Sequence, residues 1–436
     1  MKLNDRLNNL TSYPFHMPGH KRNTNLGINS VKIDITEIDG FDNLHNPKEI
    51  LKELEEDITE LFKSKKSIIS VNGSTCCILS AISAVCNWGD EIIIARNCHK
   101  SVYNACFINR LKVNYIEPEF DESIGVYTYV TQNAVDEAIK SHPTAKAIVI
   151  TSPTYEGIVS KIHTDIPLII DSAHGSHFGS ADYLPERAKG DIVIHSFHKT
   201  LPCLTQCAAV HINNEKYISR VKKYMDIYET SSPSYVLLAS VDKCVDFLKD
   251  SQSAFDSYKM VLNAFYNKIN ALKNINIFEN DDITRLILSA DGYSGSELAD
   301  YLRKCGIEPE GVGINYVILI STVCDTENGF ELLSNALAAL ELREKKNFNL
   351  QKPVVPEKIY EQYEIVETDI THFDDAKGKI SAESIFAYPP DVPIITIGER
   401  IEQNTIDYIR ELISLGVNIL SDSNLLPDSI LTKRDL

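Results

Sequence analysis

Positive charge is in short supply: 43 Lys and Arg stand against 61 Asp and Glu, a formal net charge of −18. Sequence-independent nucleic-acid binding needs clustered cations to neutralise phosphates, so that class of function is disfavoured. Cationic small molecules are compatible with a negative field, although solubility alone is the commoner reason for one. Long apolar runs are also missing. None approaches the ~18 residues needed to cross a bilayer, and the opening MKLNDRLNNL lacks the apolar centre of a signal peptide. The ten cysteines include no CxxC pair and no histidine partner at metal-finger spacing. Cys76 and Cys77 are adjacent, and Cys203 and Cys207 lie in an apolar stretch, which points to a reduced, cytoplasmic protein with small buried thiols. Neither GxxxxGK[ST] nor GxGxxG occurs, so nucleotide-binding folds gain no support. Internal repeats and low-complexity tracts are absent from the sequence too.

What remains is an ordinary globular composition, 43% hydrophobic and 24% charged, in 436 residues. That length predicts about three lobes. Residues 1–45, rich in Asn, Pro, Gly and His, read as an arm. Helical spacing of Ile50, Leu51, Leu54, Ile58, Leu61 and Phe62 predicts a helix, with Pro47 suited to its first turn. Short Ile- and Val-rich runs follow at 67–71, 91–95, 147–151, 167–171 and 191–197, the pattern of strands buried on both faces of a mostly parallel sheet. Residues 215–272 read as helical, interrupted by Pro233. Strands at 285–290 and 315–322 flank a helix that Ser294 or Ser296 could cap and Gly306 could end. The predicted division is an arm (1–45), a large α/β domain (46–260), a small α+β domain (261–345), and a linker with a C-terminal domain (346–436).

Chemistry in such sheets gathers beyond the carboxyl ends of the strands. Lys199 follows a predicted strand there, flanked by Ser196, His198 and Thr200. A lysine is usually a solvated charge; in apolar surroundings desolvation favours its neutral, imine-forming state. Asp171 ends another strand. Alone it would be a turn former, but paired with the lysine it can keep a pyridine nitrogen protonated. Gly73, Ser74 and Thr75 open a helix after a strand, which makes either an ordinary N-cap or a phosphate site. His99 follows a third strand, as a structural hydrogen-bonding group or a flat ring against a cofactor.

Together FHMPGHK (15–21), DITEIDGFDNLH (34–45), VNGST (71–75), RNCHKS (96–101), SPTYEG (152–157), DSAHGSHFG (171–179), SFHKTLP (196–202), TSSPSY (230–235) and YPPDVPIITIGERI (388–401) resemble the prokaryotic ornithine/lysine/arginine decarboxylases. The motifs occur in family order over nearly the whole chain. The resemblance implies a fold-type-I enzyme with a seven-stranded sheet and pyridoxal 5'-phosphate as cofactor. It implies that Lys199 binds the cofactor covalently, that Asp171 pairs with its ring nitrogen and that His99 stacks on the ring. Ser74, Thr75, His174, Ser196 and His198 belong to the same cofactor set, with Lys199 or His198 returning the proton to Cα. Thr230 is expected to reach the phosphate in a neighbouring subunit, making a homodimer or higher oligomer necessary. Glu399 is expected to approach the cationic end of a basic amino acid. The short form without an N-terminal regulatory domain points to arginine ahead of lysine, then ornithine, by analogy with enzymes feeding polyamine synthesis. Three departures stand out: Ser172 for a usual Glu, Asp391 for a usual Gly, and Lys63-Ser64-Lys65 for a usual Phe-Gly-Ala. An aminotransferase or other lyase on this fold, and a catalytically silent regulatory paralogue, are the alternatives. The first would need an arginine clamping the substrate's α-carboxylate, and the second would lack bound cofactor.

Overall fold

The computed structural model describes residues 12–16, 19–22, 30–346, 348, 352–387 and 392–434. Pro389, Pro390 and Asp391 therefore lie outside the described residues, as do Met17 and Pro18 of the first motif.

β1 (Tyr13–Phe15) is followed by α1 (Ile50–Phe62), β2 (Lys66–Ser70), α2 (Gly73–Val85), β3 (Glu91–Ala95), α3 (Lys100–Ile108) and β4 (Lys112–Ile116). Next come α4 (Gln132–Ser141), β5 (Ile148–Thr151), β6 (Leu168–Asp171), β7 (Ile192–His195), the single turn α5 (Phe197–Thr200) and β8 (Ala208–Ile212). Helix α1 starts three residues beyond Pro47, so that proline precedes the helix instead of opening it. The main sheet has the order β2-β8-β7-β6-β5-β3-β4. All neighbours from β7 to β4 are parallel, while β8 runs antiparallel to both β2 and β7. The expected mostly parallel, seven-stranded α/β sheet is present. The middles of its central strands are apolar because both faces are covered: Ile92 to Ile94, Ile148 to Ile150 and Ile192 to Ile194 share one core with Cys77, Ala81 and Ile82 of α2.

Helices α6 (Ile218–Tyr228), α7 (Tyr235–Lys249) and α8 (Gln252–Ile269) follow, with Pro233 in the break between the first two. A second, antiparallel sheet contains β9 (Ile275–Ile277), β10 (Arg285–Ala290), β12 (Gly311–Val312) and β13 (Val317–Ile320) in the order β9-β10-β13-β12. Between β10 and β12 lie α9 (Gly295–Lys304) and β11 (Ile307–Pro309), and α10 (Glu327–Ala338) follows the sheet. Ser294 caps α9 through a reciprocal capping box with Glu297, which satisfies two otherwise orphaned N–H groups. β1 adds to β11 in parallel. The chain ends in β14 (Thr368–His372), β15 (Ile385–Ala387), β16 (Val392–Ile395), α11 (Gln403–Ser414), β17 (Ile419–Ser421) and β18 (Ser429–Lys433), around a small core of Phe373, Ile385, Ile395, Ile406 and Ile409.

The N-terminal strand and its following turn lie across the body of the protein. Gly19 N–H donates to the carbonyl of His198 at 2.6 Å, and Thr322 donates to the carbonyl of Gly19 at 2.8 Å. A Cβ at Gly19 would sit 2.6 Å from the Leu201 carbonyl oxygen, so only glycine permits this approach.

Candidate active site

A cavity of about 330 Å3 opens at the carboxyl ends of the parallel strands, the size of a small-molecule site. Each adjoining strand contributes what lies at its end. Asp171 is the last residue of β6, Arg96, Asn97 and His99 follow β3, Tyr155 and Glu156 follow β5, and Lys199 lies in the turn after β7. Ser74 reaches the cavity from the first turn of α2, and Glu310, Val312 and Ile314 enter from the second sheet. The C-terminal unit supplies Ile394, Tyr408 and Leu412.

Lys199 and His174 are in direct contact, Nζ to Nε2 at 2.9 Å. The other imidazole nitrogen, Nδ1, is 3.1 Å from Nη2 of Arg285. Burial, followed by the charges of Lys199 and Arg285, drives His174 well below the usual histidine range. Tyr155 stands edge-on to the His174 ring, 5.0 Å between centroids, and donates its hydroxyl to Glu310 at 2.6 Å. The neighbouring Glu156 is lifted to about 7 by burial.

His99 has two surfaces in use. Its Nδ1 caps α3 by accepting from Ser101 N–H, while its ring lines the cavity. Asp171, Lys199, His99, His174 and Ser74 are thus brought to one cavity. Ser196, three residues before Lys199, is fully buried outside the lining, and among the described residues its hydroxyl has no hydrogen-bond partner. Thr75 is exposed on α2 and does not line the cavity. His198 lies outside the lining as well, its Nδ1 donating to the carbonyl of Cys207 at 3.0 Å. Of the two residues considered for returning a proton, the cavity holds Lys199. Thr230 is also outside; its carbonyl accepts from His45, and its hydroxyl accepts from Ser232 N–H.

Glu399 does not face the cavity as expected. Its carboxylate is engaged bidentately by the Arg96 guanidinium at 2.5 and 3.0 Å, and accepts from Thr396 N–H at 2.8 Å. With both oxygens taken inside the chain, the acids on the cavity wall are Glu156, Asp171 and Glu310. Neither Glu156 nor Glu310 was picked out from sequence, because isolated glutamates carry no spacing signal. Arg285 was missed in the same way, as the first residue of an otherwise apolar strand.

The cavity fits an aldehyde-bearing pyridine phosphate on four observations. A lysine and an acid face one space, a ring lies on the wall, the N-terminus of α2 has no side-chain cap, and the Ser196 hydroxyl is buried without a partner. Free N–H groups at a helix N-terminus with nearby hydroxyls hold phosphate well.

In comparisons with solved structures, the constitutive lysine decarboxylase of Escherichia coli aligns with a TM-score of 0.78 at 18% identity, covering 93% of this chain and 76% of that one. An alanine–glyoxylate aminotransferase from Nostoc aligns at 0.54 with 11% identity, over 66% of this chain and 85% of that one. Both likenesses concern the fold, which is fold type I. Among sequences, an arginine decarboxylase of Halalkalibacterium halodurans is 31% identical, covering 91% of this chain and 89% of its own. An arginine decarboxylase of Bacillus subtilis is 30% identical over 93% and 91%. The family models for the major and C-terminal domains of Orn/Lys/Arg decarboxylase match residues 8–287 and 341–418. With the motifs, the fold and both family domains in agreement, the chain belongs to the ornithine/lysine/arginine decarboxylase family.

Proposed function

We propose that the protein removes the α-carboxylate of a basic L-amino acid as carbon dioxide, with arginine preferred to lysine and ornithine, and with pyridoxal 5'-phosphate as cofactor. The observation that carries this reading is the convergence of Lys199, Asp171 and His99 on one cavity at the strand ends. When bound, pyridoxal phosphate supplies a conjugated ring that accepts the electron pair left at Cα.

The protein's part is binding, orientation and proton control. Lys199 presents its amine to the cofactor's aldehyde. Asp171, on the cavity wall, would pair with the ring nitrogen and hold a proton there, and His99 would supply a flat wall. Ser74 and the first turn of α2 would hold the phosphate, with His174 on the same wall; Thr75, Ser196 and His198, outside the lining, would support that end of the site from behind. Thr230 serves the phosphate in a second copy of the chain, so the working unit is a homodimer or larger. Glu156 and Glu310 meet the substrate's cation. Phe120, Val126, Ile314 and Ile394 on the wall limit water around the reacting carbon, and Lys199 returns a proton to Cα. The setting is cytoplasmic and the product amine a polyamine precursor; among the described residues no helix is long and apolar enough to cross a membrane. The preference for arginine is supported by relatives of similar length named as arginine decarboxylases.

An aminotransferase is less well supported. The cavity's arginine, Arg96, has its guanidinium committed to Glu399 and is a poor clamp for a substrate carboxylate. Carbon dioxide release should be measured on arginine, lysine and ornithine separately, with pyridoxal phosphate and a Lys199→Ala control. Release from arginine first, abolished in the control, is expected. No release from any of the three by cofactor-loaded protein overturns the reading.

A further inference from the structure

Arg285 is fully buried at the start of β10, outside the cavity lining. Among the described residues it forms no ion pair, and its Nε and Nη1 have no hydrogen-bond partner. Its one engaged nitrogen, Nη2, meets His174 twice, at Nδ1 (3.1 Å) and at the backbone carbonyl (3.2 Å). The position is built. The arginine stem crosses Gly157, where a Cβ would come within 2.9 Å of Arg285 Cγ and where φ is +87°. Asn280 ties the carbonyls of Glu156 and Arg285 together.

A guanidinium carries five N–H donors and no acceptor. The contact at Nδ1 of His174 is therefore N–H to a lone pair, and the proton of the neutral imidazole lies on Nε2. That nitrogen is the one 2.9 Å from Lys199. An N–H facing an ammonium would set two donors against each other, so the amine in this contact accepts through its lone pair. An imidazolium is disfavoured, because the ring is buried between two basic side chains. The other ionisable groups around the relay are His99, His198, Asp171, Glu156, Asp282, and Tyr155 with its partner Glu310.

We propose that Arg285 is a positioning residue: by donating to Nδ1 it fixes the His174 tautomer that donates from Nε2 to Lys199, and so keeps the Lys199 amine neutral, with a lone pair that attacks once this contact opens. The inference rests on Lys199 being the residue that captures the cofactor's aldehyde. In that capture Nζ attacks the aldehyde carbon, and the two amine protons leave with the carbonyl oxygen as water. Only the neutral amine has the electron pair to begin it.

The test is the rate at which the purified chain captures added pyridoxal phosphate at pH 7.5. Capture is followed by absorbance and located at Lys199 by borohydride fixation and peptide mass spectrometry. Arg285→Met should slow capture at least about tenfold, His174→Gln should slow it comparably, and Arg285→Lys, which keeps a donor and the charge, should recover most of the rate. In the His174→Gln background, Arg285→Met should add little, because both changes break one relay. Equal additive losses in both backgrounds would show that Arg285 acts as a bare charge and overturn the proposal. So would wild-type capture rates in an Arg285→Met protein whose melting temperature matches the parent. The Arg285→Lys and His174→Gln proteins carry the test alone if Arg285→Met does not fold, and failure of Arg285→Lys to restore the rate also counts against the relay. Normal capture without carbon dioxide release would instead sink the decarboxylase reading and leave this one standing.

Discussion

Arg96 and Arg285 are equally buried, at 1% and 0% exposure, yet their surroundings are opposite. Arg96 has a bidentate carboxylate, a carbonyl from Ile394 and the face of Tyr115 4.8 Å from its guanidinium carbon. Burial opposes its charge, but Glu399, then Tyr103 and Tyr115, hold it more firmly protonated than an ordinary arginine. Arg285 has a histidine and two idle nitrogens. A buried charge is tolerated cheaply only when it is paired. The difference therefore separates a joint from a lever: Arg96 fastens the C-terminal unit to the main sheet, whereas Arg285 is kept at a cost beside the reactive lysine.

The comparison breaks most visibly at the joint. Arg96→Leu leaves Glu399 buried without its partner and should destabilise the protein by about 3–5 kcal/mol, as such losses do elsewhere. Replacing both residues with leucine should recover most of that in urea unfolding. A double mutant as unstable as the single would mean the pair is no joint.

A smaller effect concerns Glu156, whose carboxyl sits at about 7 by burial. Its folded pKa is above the unfolded value, so its contribution is complete below about 4.5 and is lost as pH rises to about 7. The expected slope approaches ~1.4 kcal/mol per pH unit inside that window. His211, held down to about 3 by burial and then by Arg187, works in the opposite sense, losing stability as pH falls below about 6.5. The glutamate's share is isolated by subtracting the stability curve of Glu156→Gln from that of the parent. Parallel curves would remove the buried-acid argument.

The smallest effect should come at the lever. Arg285→Met removes a buried cation that makes no contact ion pair and acts only at longer range on the buried Asp282 and Glu156, but leaves Nδ1 of His174 without a donor, terms of opposite sign and similar size. Its unfolding free energy should stay within about 1 kcal/mol of the parent's, set against the several of Arg96→Leu. A loss above about 3 kcal/mol would make Arg285 a second joint.

Local pattern carried strands of both sheets well. EIIIA at 91–95 and RLILSA at 285–290 are strands with the boundaries their composition predicts, and of the two serines that could cap the next helix, Ser294 does so. β8, AAVHI, was overlooked because its small apolar residues look like the continuation of the loop before it, and its antiparallel direction is set only by its neighbours. At the site, residues at strand ends were legible because topology gathers them. The Arg96–Glu399 pair was not, since 303 positions separate the partners and neither lies in a periodic pattern that points to the other. The same holds for Arg285 and His174, 111 positions apart.

The arm laid across the Lys199 turn has a consequence for synthesis. Gly19 is clasped by Thr322, 303 residues later, and Arg96 waits for Glu399 across an equal interval. At about 5–20 residues per second, the two ends of each clasp leave the ribosome tens of seconds apart. The arm and the lysine-bearing turn are thus both made before the threonine that clasps them. A nascent chain stalled between these points would hold neither clasp: Gly19 would lack Thr322, and the guanidinium of Arg96 would lack its carboxylate.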